Sequence, residues 1–185
     1  EYKNDQVPSA KDYITPVADI LIMAGDIGSL YKMTQLSEFI KEVCGMFKVV
    51  LYVPGNHEWY EIPDILPVSY QTLEHRLKKL AEINSNLFIL NRNSVLIGDV
   101  CFAGCTLWSE PLCQVPRFIV KIQDMNRVKY QQMHTKDLKF IEGIIEYCKT
   151  KKHKLVLITH YPPSYRCLSG TRRKQKFLSL YASNL

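Results

Sequence analysis

The sequence has no apolar run near the roughly 20 residues that a membrane-spanning helix needs. Its first residues, Glu1 to Asp5, are polar and cannot serve as the apolar centre of a secretion signal. These two absences predict a chain with no membrane partner and a cytoplasmic location.

Paired cysteine motifs are also missing. The six cysteines include no CxxC pair and no zinc-ribbon spacing, and several lie inside apolar runs, as in Val100-Cys101-Phe102. This pattern favours reduced, buried thiols over disulfides or a structural zinc site.

Internal repeats, low-complexity tracts and linkers rich in Gly, Ser or Pro are absent as well. Hydrophobic residues make up 46% of the chain and charged residues 23%, a globular balance in a length that can enclose one core. We therefore predict a single domain over residues 1–185.

The charge that is present is positive overall. The formal net charge of +6 suits a phosphate-bearing substrate, although it also suits mere solubility. The densest basic run contains Arg172, Arg173, Lys174 and Lys176. It is a candidate contact to substrate phosphates or nucleic acid, and the alternative is a solvated loop.

Hydrophobic periodicity predicts alternating strands and helices. Continuous apolar runs indicate buried strands over 18–26, 48–54 and 154–160, and amphipathic spacing indicates helices over 33–47, 69–83 and 135–149, with Thr135 as the N-cap of the last. Short strands over 87–90 and 95–97 precede a hairpin that turns at Gly98-Asp99 into residues 100–104. The pattern is α/β with an added antiparallel part.

Each of the three buried strands ends in polar side chains: Asp26 after the first, Asn56 and His57 after the second, and His160 after the third. In open α/β sheets, sites form outside the carboxyl ends of the strands. A carboxylate, an amide oxygen and an imidazole form a donor set that suits Mn, Fe or Zn. Each residue alone has a common structural alternative, such as helix capping for Asp26.

His57 follows Asn56 directly, so its side chain turns away from a metal that Asn56 binds. It is better placed as a proton donor or as a partner of a phosphoryl oxygen. Glu58 is a candidate to orient the His57 ring by a hydrogen bond.

Three segments resemble signatures of the calcineurin-like metallophosphoesterases. Gly25-Asp26-Ile27-Gly28 is similar to the second signature of that superfamily, Gly55-Asn56-His57-Glu58 to the third, and Thr159-His160 followed by Pro162 to the fourth. Between them, Gly104-Cys105-Thr106-Leu107-Trp108 resembles a segment common in small prokaryotic and viral-type members.

The resemblance implies an α/β/β/α sandwich of two mixed sheets flanked by helices. It implies a two-metal phosphoesterase in which Asp26 bridges two divalent ions, Asn56 and His160 bind one of them, and His57 assists the leaving group. The implied reaction is hydrolysis of a phosphomonoester or phosphodiester by an activated water, and the implied partner is a phosphorylated small molecule or a nucleotide-type substrate.

Two signatures of the superfamily are missing. No Asp-x-His precedes Asp26, and no histidine follows His160 to form Gly-His-x-His. We expect both to lie outside the sequence given. A third departure is Tyr161, where many relatives carry a second His.

The alternatives to a phosphoesterase are a nuclease of the same superfamily, for which the basic run is the hint, and a non-catalytic scaffold with a degenerate metal site. His75, His134 and His153 are interpreted as outside the site. Arg117 and Arg127 are either surface residues or contacts to a phosphate oxygen.

Overall fold

A computed structural model of the chain describes residues 8–171 and 177–185. The chain divides into two compact units, Glu1–Leu90 and Asn91–Leu185, and each contains one three-stranded sheet among its described residues. Helices accompany both sheets, so the predicted mixed α/β class is confirmed. The single-domain interpretation stays a prediction.

In the first unit, three parallel strands alternate with two helices. The strands β1 (Ile20–Met23), β2 (Val49–Tyr52) and β3 (Leu87–Ile89) are ordered β1-β2-β3, with helix α1 (Met33–Met46) after β1 and helix α2 (Tyr70–Glu82) after β2. Both helices match the ranges expected from hydrophobic periodicity.

The core of this unit is formed by the apolar faces of α1 and α2 together with β2. The helices bury six aliphatic side chains: Leu36, Ile40, Val43, Leu73, Leu77 and Leu80. Each such burial stabilises the fold by about 1.5–3 kcal/mol. Ser69 is the N-cap of α2, and its hydroxyl accepts a hydrogen bond from the Thr72 N–H at 3.1 Å.

In the second unit, the predicted hairpin is confirmed. Strand β4 (Asn93–Ile97) pairs antiparallel with β5 (Val100–Cys105), and Gly98 adopts a φ of 62° at the turn. Strand β6 (Lys154–Thr159) pairs parallel with β5, so this sheet is mixed, whereas the first sheet is parallel throughout its described strands.

Helix α3 spans Arg127–Lys151 and begins eight residues before the expected start at Thr135. Asn126 is its N-cap, since the Asn126 side chain accepts from the Lys129 N–H at 3.0 Å. The Thr135 hydroxyl instead donates to the Gln131 carbonyl within the helix, at 3.0 Å. The sequence prediction missed the first turns because their buried residues, Tyr130 and His134, are not aliphatic.

The prediction that three apolar strands are buried is wrong for parts of two of them. Residues 50–52 of β2 are buried, but Ile22 of β1 is 41% exposed and Leu157 of β6 is 37% exposed. Strands β1 and β6 are edge strands in the described sheets, whereas β2 has a neighbour on each side.

None of the helices in the described part of the chain combines the length and the apolar character that a membrane span requires.

Candidate active site

The loop after β1 carries Asp26 in an unusual backbone conformation. Gly25 has a φ of 94° and Asp26 a φ of 57°, both in the left-handed region. Glycine enters this region without a steric penalty, and Asp is one of the few other residues that tolerate it. The chain therefore turns sharply directly before and at the predicted metal ligand.

The loop after β2 meets this turn. The parallel pairing continues beyond the strands, because the Val53 N–H donates to the Met23 carbonyl at 2.9 Å. One turn of 3₁₀ helix, His57–Trp59, follows Asn56, and the His57 N–H donates to Asp26 Oδ1 at 3.0 Å. The structure thus brings Asp26 together with the Asn56–His57 segment, at neighbouring carboxyl ends of one parallel sheet.

Glu58 holds these two loops together. Its side chain is 0% exposed. Oε1 accepts from the Tyr52 hydroxyl and the Ile27 N–H, both at 2.7 Å, and Oε2 accepts from the Gly55 N–H at 2.8 Å and the Asp26 N–H at 3.1 Å. We call this arrangement the Glu58 cluster: Glu58 with its four donors on Tyr52, Gly55, Asp26 and Ile27.

Opposing effects act on the pKa of the Glu58 carboxyl. Burial raises the pKa of the Glu58 carboxyl, and the hydrogen bonds from Tyr52 and Ile27 act against that shift. The nearby charge of Asp26 raises the pKa further. Four donated hydrogen bonds match the acceptor-only character of an ionised carboxylate.

These contacts correct the role predicted for Glu58. The four donors, and not the His57 ring, are the partners that its carboxylate has among the described residues. Because Glu58 and His57 are consecutive in a 3₁₀ turn, their side chains point in different directions. Glu58 is inaccessible to a substrate and shapes the backbone that carries Asp26 and His57.

His57 has an aromatic neighbour that the sequence analysis did not single out. The Tyr60 ring stacks on the imidazole, with the ring centroids 4.8 Å apart and the planes at 24°. The signal in the sequence was an aromatic residue three positions after His57, which is one turn of a 3₁₀ helix.

His160 lies in the second unit, directly after β6. The adjacent Tyr161 N–H donates to the Thr106 carbonyl at 3.0 Å, so the loop after β6 is joined to the loop after β5. The Tyr161 ring lies 5.3 Å from the His160 ring at a tilt of 51°. The position at a strand end agrees with the prediction, and the roles of Asp26, Asn56, His57 and His160 stay predictions.

A second buried carboxylate was missed by the sequence analysis. Asp137 of α3 is 0% exposed, accepts from Arg92 Nη1 at 2.8 Å and accepts from the Trp108 N–H at 2.9 Å. Nδ1 of His134, which is also buried, lies 2.6 Å from the Trp108 carbonyl oxygen. We call Asp137, Arg92, His134 and the Trp108 backbone the Asp137 cluster.

The Asp137 cluster holds a strained turn. Leu107 has a φ of 56°, which is unusual for a residue of this shape, and the hydrogen bonds to Trp108 hold the position after it. Burial raises the pKa of the Asp137 carboxyl, and the Arg92 guanidinium opposes the shift. No pattern in the sequence distinguished Asp137 from an ordinary polar residue of an amphipathic helix.

Other predicted residues lie outside this constellation. His75 is exposed on α2, as expected. Arg127 is the first residue of α3, and its Nε donates to the Pro111 carbonyl at 3.2 Å. The basic run with Arg172, Arg173, Lys174 and Lys176 lies outside the described residues.

Comparison with known proteins decides the family. The profile of the family described as calcineurin-like phosphoesterase matches residues 5–181. The chain belongs to this family. The predicted resemblance is therefore confirmed, and the matched range covers residues of both units.

A curated relative of this member of the family is an uncharacterized protein of Acanthamoeba polyphaga mimivirus. The two are 24% identical over 160 residues, which cover 78% of this chain and 55% of the relative. The chain thus spans about half the length of the relative that it matches. No solved structure matches the chain.

Calcineurin-like phosphoesterases typically bind divalent metals. The donor types in this chain fit such ions, because Asp26 and Asn56 offer oxygens on adjoining loops and His160 offers a nitrogen. Within residues 8–171 and 177–185, however, no group of three or more His, Cys, Asp or Glu side chains is arranged to hold a metal. The types of ligand therefore fit a divalent metal, but these three residues are too few to complete its coordination shell.

Proposed function

We propose that this protein is a metal-dependent phosphoesterase that hydrolyses a phosphomonoester or phosphodiester. The observation that carries the proposal is the hydrogen bond of 3.0 Å from the His57 N–H to Asp26 Oδ1, on loops that the Glu58 cluster ties together. Family membership supports this reaction class at the level of the superfamily.

We propose two divalent ions such as Mn, Fe or Zn as cofactors, with Asp26 and Asn56 as candidate ligands in the first unit and His160 as a candidate ligand in the second. When bound, such ions supply a Lewis acid for the phosphoryl oxygens and lower the pKa of a coordinated water. Asp26 is suited to this task because its backbone is held by Glu58 and its Oδ1 is oriented by the His57 N–H.

His57 would donate a proton to the leaving oxygen, or a hydrogen bond to a phosphoryl oxygen. Its main chain is bound to the Asp26 carboxylate, so the imidazole is carried on the same support as the candidate metal ligand. Positioned proton transfer of this kind contributes roughly 10²–10⁴-fold to a rate.

The substrate is proposed as a phosphorylated small molecule or a nucleotide-type compound. The net charge of +6 supports an anionic substrate, because a positive protein raises the local concentration of negative ligands. We propose Mn as the first ion to supply in assays.

The test is turnover of aryl phosphate monoesters and diesters by the complete protein with added Mn. We expect activity above background, and we expect His57→Ala to lower kcat by more than roughly tenfold. His75→Ala is the matched control, since His75 is exposed on α2, and it should retain the parent rate. No turnover of either ester class would refute the proposal.

A second candidate is a non-catalytic scaffold, because among the described residues no group of three or more His, Cys, Asp or Glu side chains is arranged to hold a metal. Elemental analysis of the purified protein separates the two proposals. About two bound ions per chain support the hydrolase, and metal near zero after reconstitution supports the scaffold. A nuclease activity rests on the basic run and would appear as binding of DNA or RNA that weakens steeply with salt.

A further inference from the structure

We infer that Tyr60 is a positioning residue that sets the orientation of the His57 imidazole for proton donation. The inference rests on the role proposed above for His57. It starts from the stacked contact between the two rings, 4.8 Å between centroids and 24° between planes. An offset stack of this kind is a preferred arrangement of aromatic pairs and disfavours rotation of either ring away from the other.

Tyr60 is well suited to fix another ring because its own position is fixed. Its side chain is only 9% exposed, and its N–H donates to the His57 carbonyl at 3.2 Å, which closes the 3₁₀ turn. An imidazole that packs on such a side chain loses much of its freedom about χ2, a torsion that is otherwise broad.

The two residues between His57 and Tyr60 anchor the turn at separate points. The Glu58 carboxylate binds the loops after β1 and β2. The Trp59 ring, which is 0% exposed, stacks on Tyr70 at the start of α2, with centroids 4.4 Å apart. The backbone that carries both members of the His57–Tyr60 stack is therefore held by the sheet loops and by a helix.

Loss of the Tyr60–His57 stack should affect the catalytic rate rather than substrate binding. A catalytic group that must meet a leaving oxygen within hydrogen-bond reach loses efficiency when its ring samples other orientations. Tyr60 acts through His57, so its loss should lower kcat and leave KM nearly unchanged.

The first arm of the experiment is independent of activity. In the NMR spectrum of the full chain, we expect the carbon-bound protons of the His57 ring to appear upfield, because that ring stacks on the Tyr60 ring. The chain has five histidines, and His57→Ala assigns the signals. Tyr60→Leu should move the His57 signals downfield, and Tyr60→Phe should leave them nearly in place. Unchanged signals in Tyr60→Leu would overturn the inference.

The second arm measures kinetics. We expect Tyr60→Leu to lower kcat roughly tenfold, within the range that a misplaced catalytic group costs, with KM changed by less than about twofold. Tyr60→Phe should recover most of the rate because it keeps the ring. In a His57→Ala background, Tyr60→Leu should have no further effect on kcat.

Tyr31→Leu is the matched control. Tyr31 is as buried as Tyr60, at 7% exposure, and its hydroxyl bonds the Val68 backbone rather than His57. Tyr31→Leu should lower the melting temperature about as much as Tyr60→Leu does. It should leave kcat and the His57 signals unchanged. Equal losses of kcat in both variants would mean a general structural effect and would overturn the inference.

The two proposals fail in distinguishable ways. If His57→Ala leaves turnover intact, the proton-donor role of His57 fails, and the catalytic consequence of Tyr60 fails with it. If His57→Ala lowers turnover but Tyr60→Leu does not, only the positioning role of Tyr60 is refuted.

Discussion

Among the described residues, each unit of this protein buries one carboxylate completely, and the two are satisfied by different means. Glu58 in the first unit accepts from three backbone N–H groups and one hydroxyl, all of them neutral donors. Asp137 in the second unit accepts from a guanidinium and one backbone N–H. Both hold a loop that follows a strand and contains a residue with positive φ, Asp26 in one case and Leu107 in the other.

The comparison teaches where the compensation for burial comes from. Most of the donors to Glu58 are main-chain groups. Their positions in two loops offset the free-energy cost of burying the carboxylate. Asp137 depends on the side chain of Arg92, so a substitution at position 92 would remove this compensation. A site built like the Glu58 cluster is specified by backbone geometry, whereas the Asp137 cluster is specified by a pair of side chains.

The largest effect is expected from Glu58→Ala. The change leaves two buried donors, on Tyr52 and Gly55, and two partly buried donors, on Asp26 and Ile27, without this acceptor. We expect the free energy of unfolding to fall by about 3–5 kcal/mol. Glu58→Gln should cost less, because the amide oxygen still accepts from two donors. Denaturant unfolding followed by circular dichroism measures both variants.

The control for this experiment is Glu38→Ala, since Glu38 is exposed on α1. It should change the free energy of unfolding by less than about 0.5 kcal/mol. A loss below about 1 kcal/mol for Glu58→Ala would show that the carboxylate does not tie the loops.

A smaller effect is expected in the second unit. Asp137→Ala removes the carboxylate that accepts from Arg92 Nη1 and from the Trp108 N–H, and we expect a loss of about 2–4 kcal/mol in the free energy of unfolding. Replacement of both partners, Arg92→Met with Asp137→Leu, should recover part of that loss because no unpaired charge remains. If the double variant loses as much stability as its two single changes added together, Arg92 and Asp137 are not coupled. The Asp137 cluster would then not depend on a pair of side chains, and the contrast with the Glu58 cluster would fail.

The smallest effect is expected on thiol chemistry beside the Asp137 cluster. Burial, and after it the charge of Asp137, raises the pKa of the Cys105 thiol to about 12. The folded chain at pH 8 should therefore alkylate at exposed Cys167 and hardly at Cys105. Mass spectrometry after iodoacetamide treatment measures both sites.

Asp137→Ala sharpens this last test. The pKa of Cys105 should fall without the Asp137 charge, so its alkylation should accelerate while Cys167 stays unchanged. Equal rates at Cys105 in the parent and the variant would show that burial alone controls this thiol.

Much of the fold and site was predictable because the relevant signals are local. The hairpin around Gly98 and the helices α1 and α2 follow from turn chemistry and from apolar spacing along short stretches. The meeting of Asp26 with the Asn56–His57 segment followed from two strand ends of one sheet.

The errors have physical causes as well. The start of α3 was missed because Tyr130 and His134 provide its buried face where aliphatic residues were expected. The exposure of Ile22 in β1 and Leu157 in β6 could not be predicted from their apolar runs, because the burial of a strand depends on what packs against each face of its sheet.

The sequence by itself determined the family, the α/β pattern and the candidate residues Asp26, Asn56, His57 and His160, because motifs and periodicity are written in neighbouring positions. Only the tertiary structure decided that Glu58 binds the loops rather than the His57 ring, that Tyr60 stacks on that ring, and that Asp137 is buried. The bonds of Glu58 to Asp26 and Ile27, and of Asp137 to Arg92, join segments that are far apart along the chain. The Tyr60 stack is local, but it depends on how the two rings are oriented within one 3₁₀ turn. Spacing along the chain does not encode such contacts.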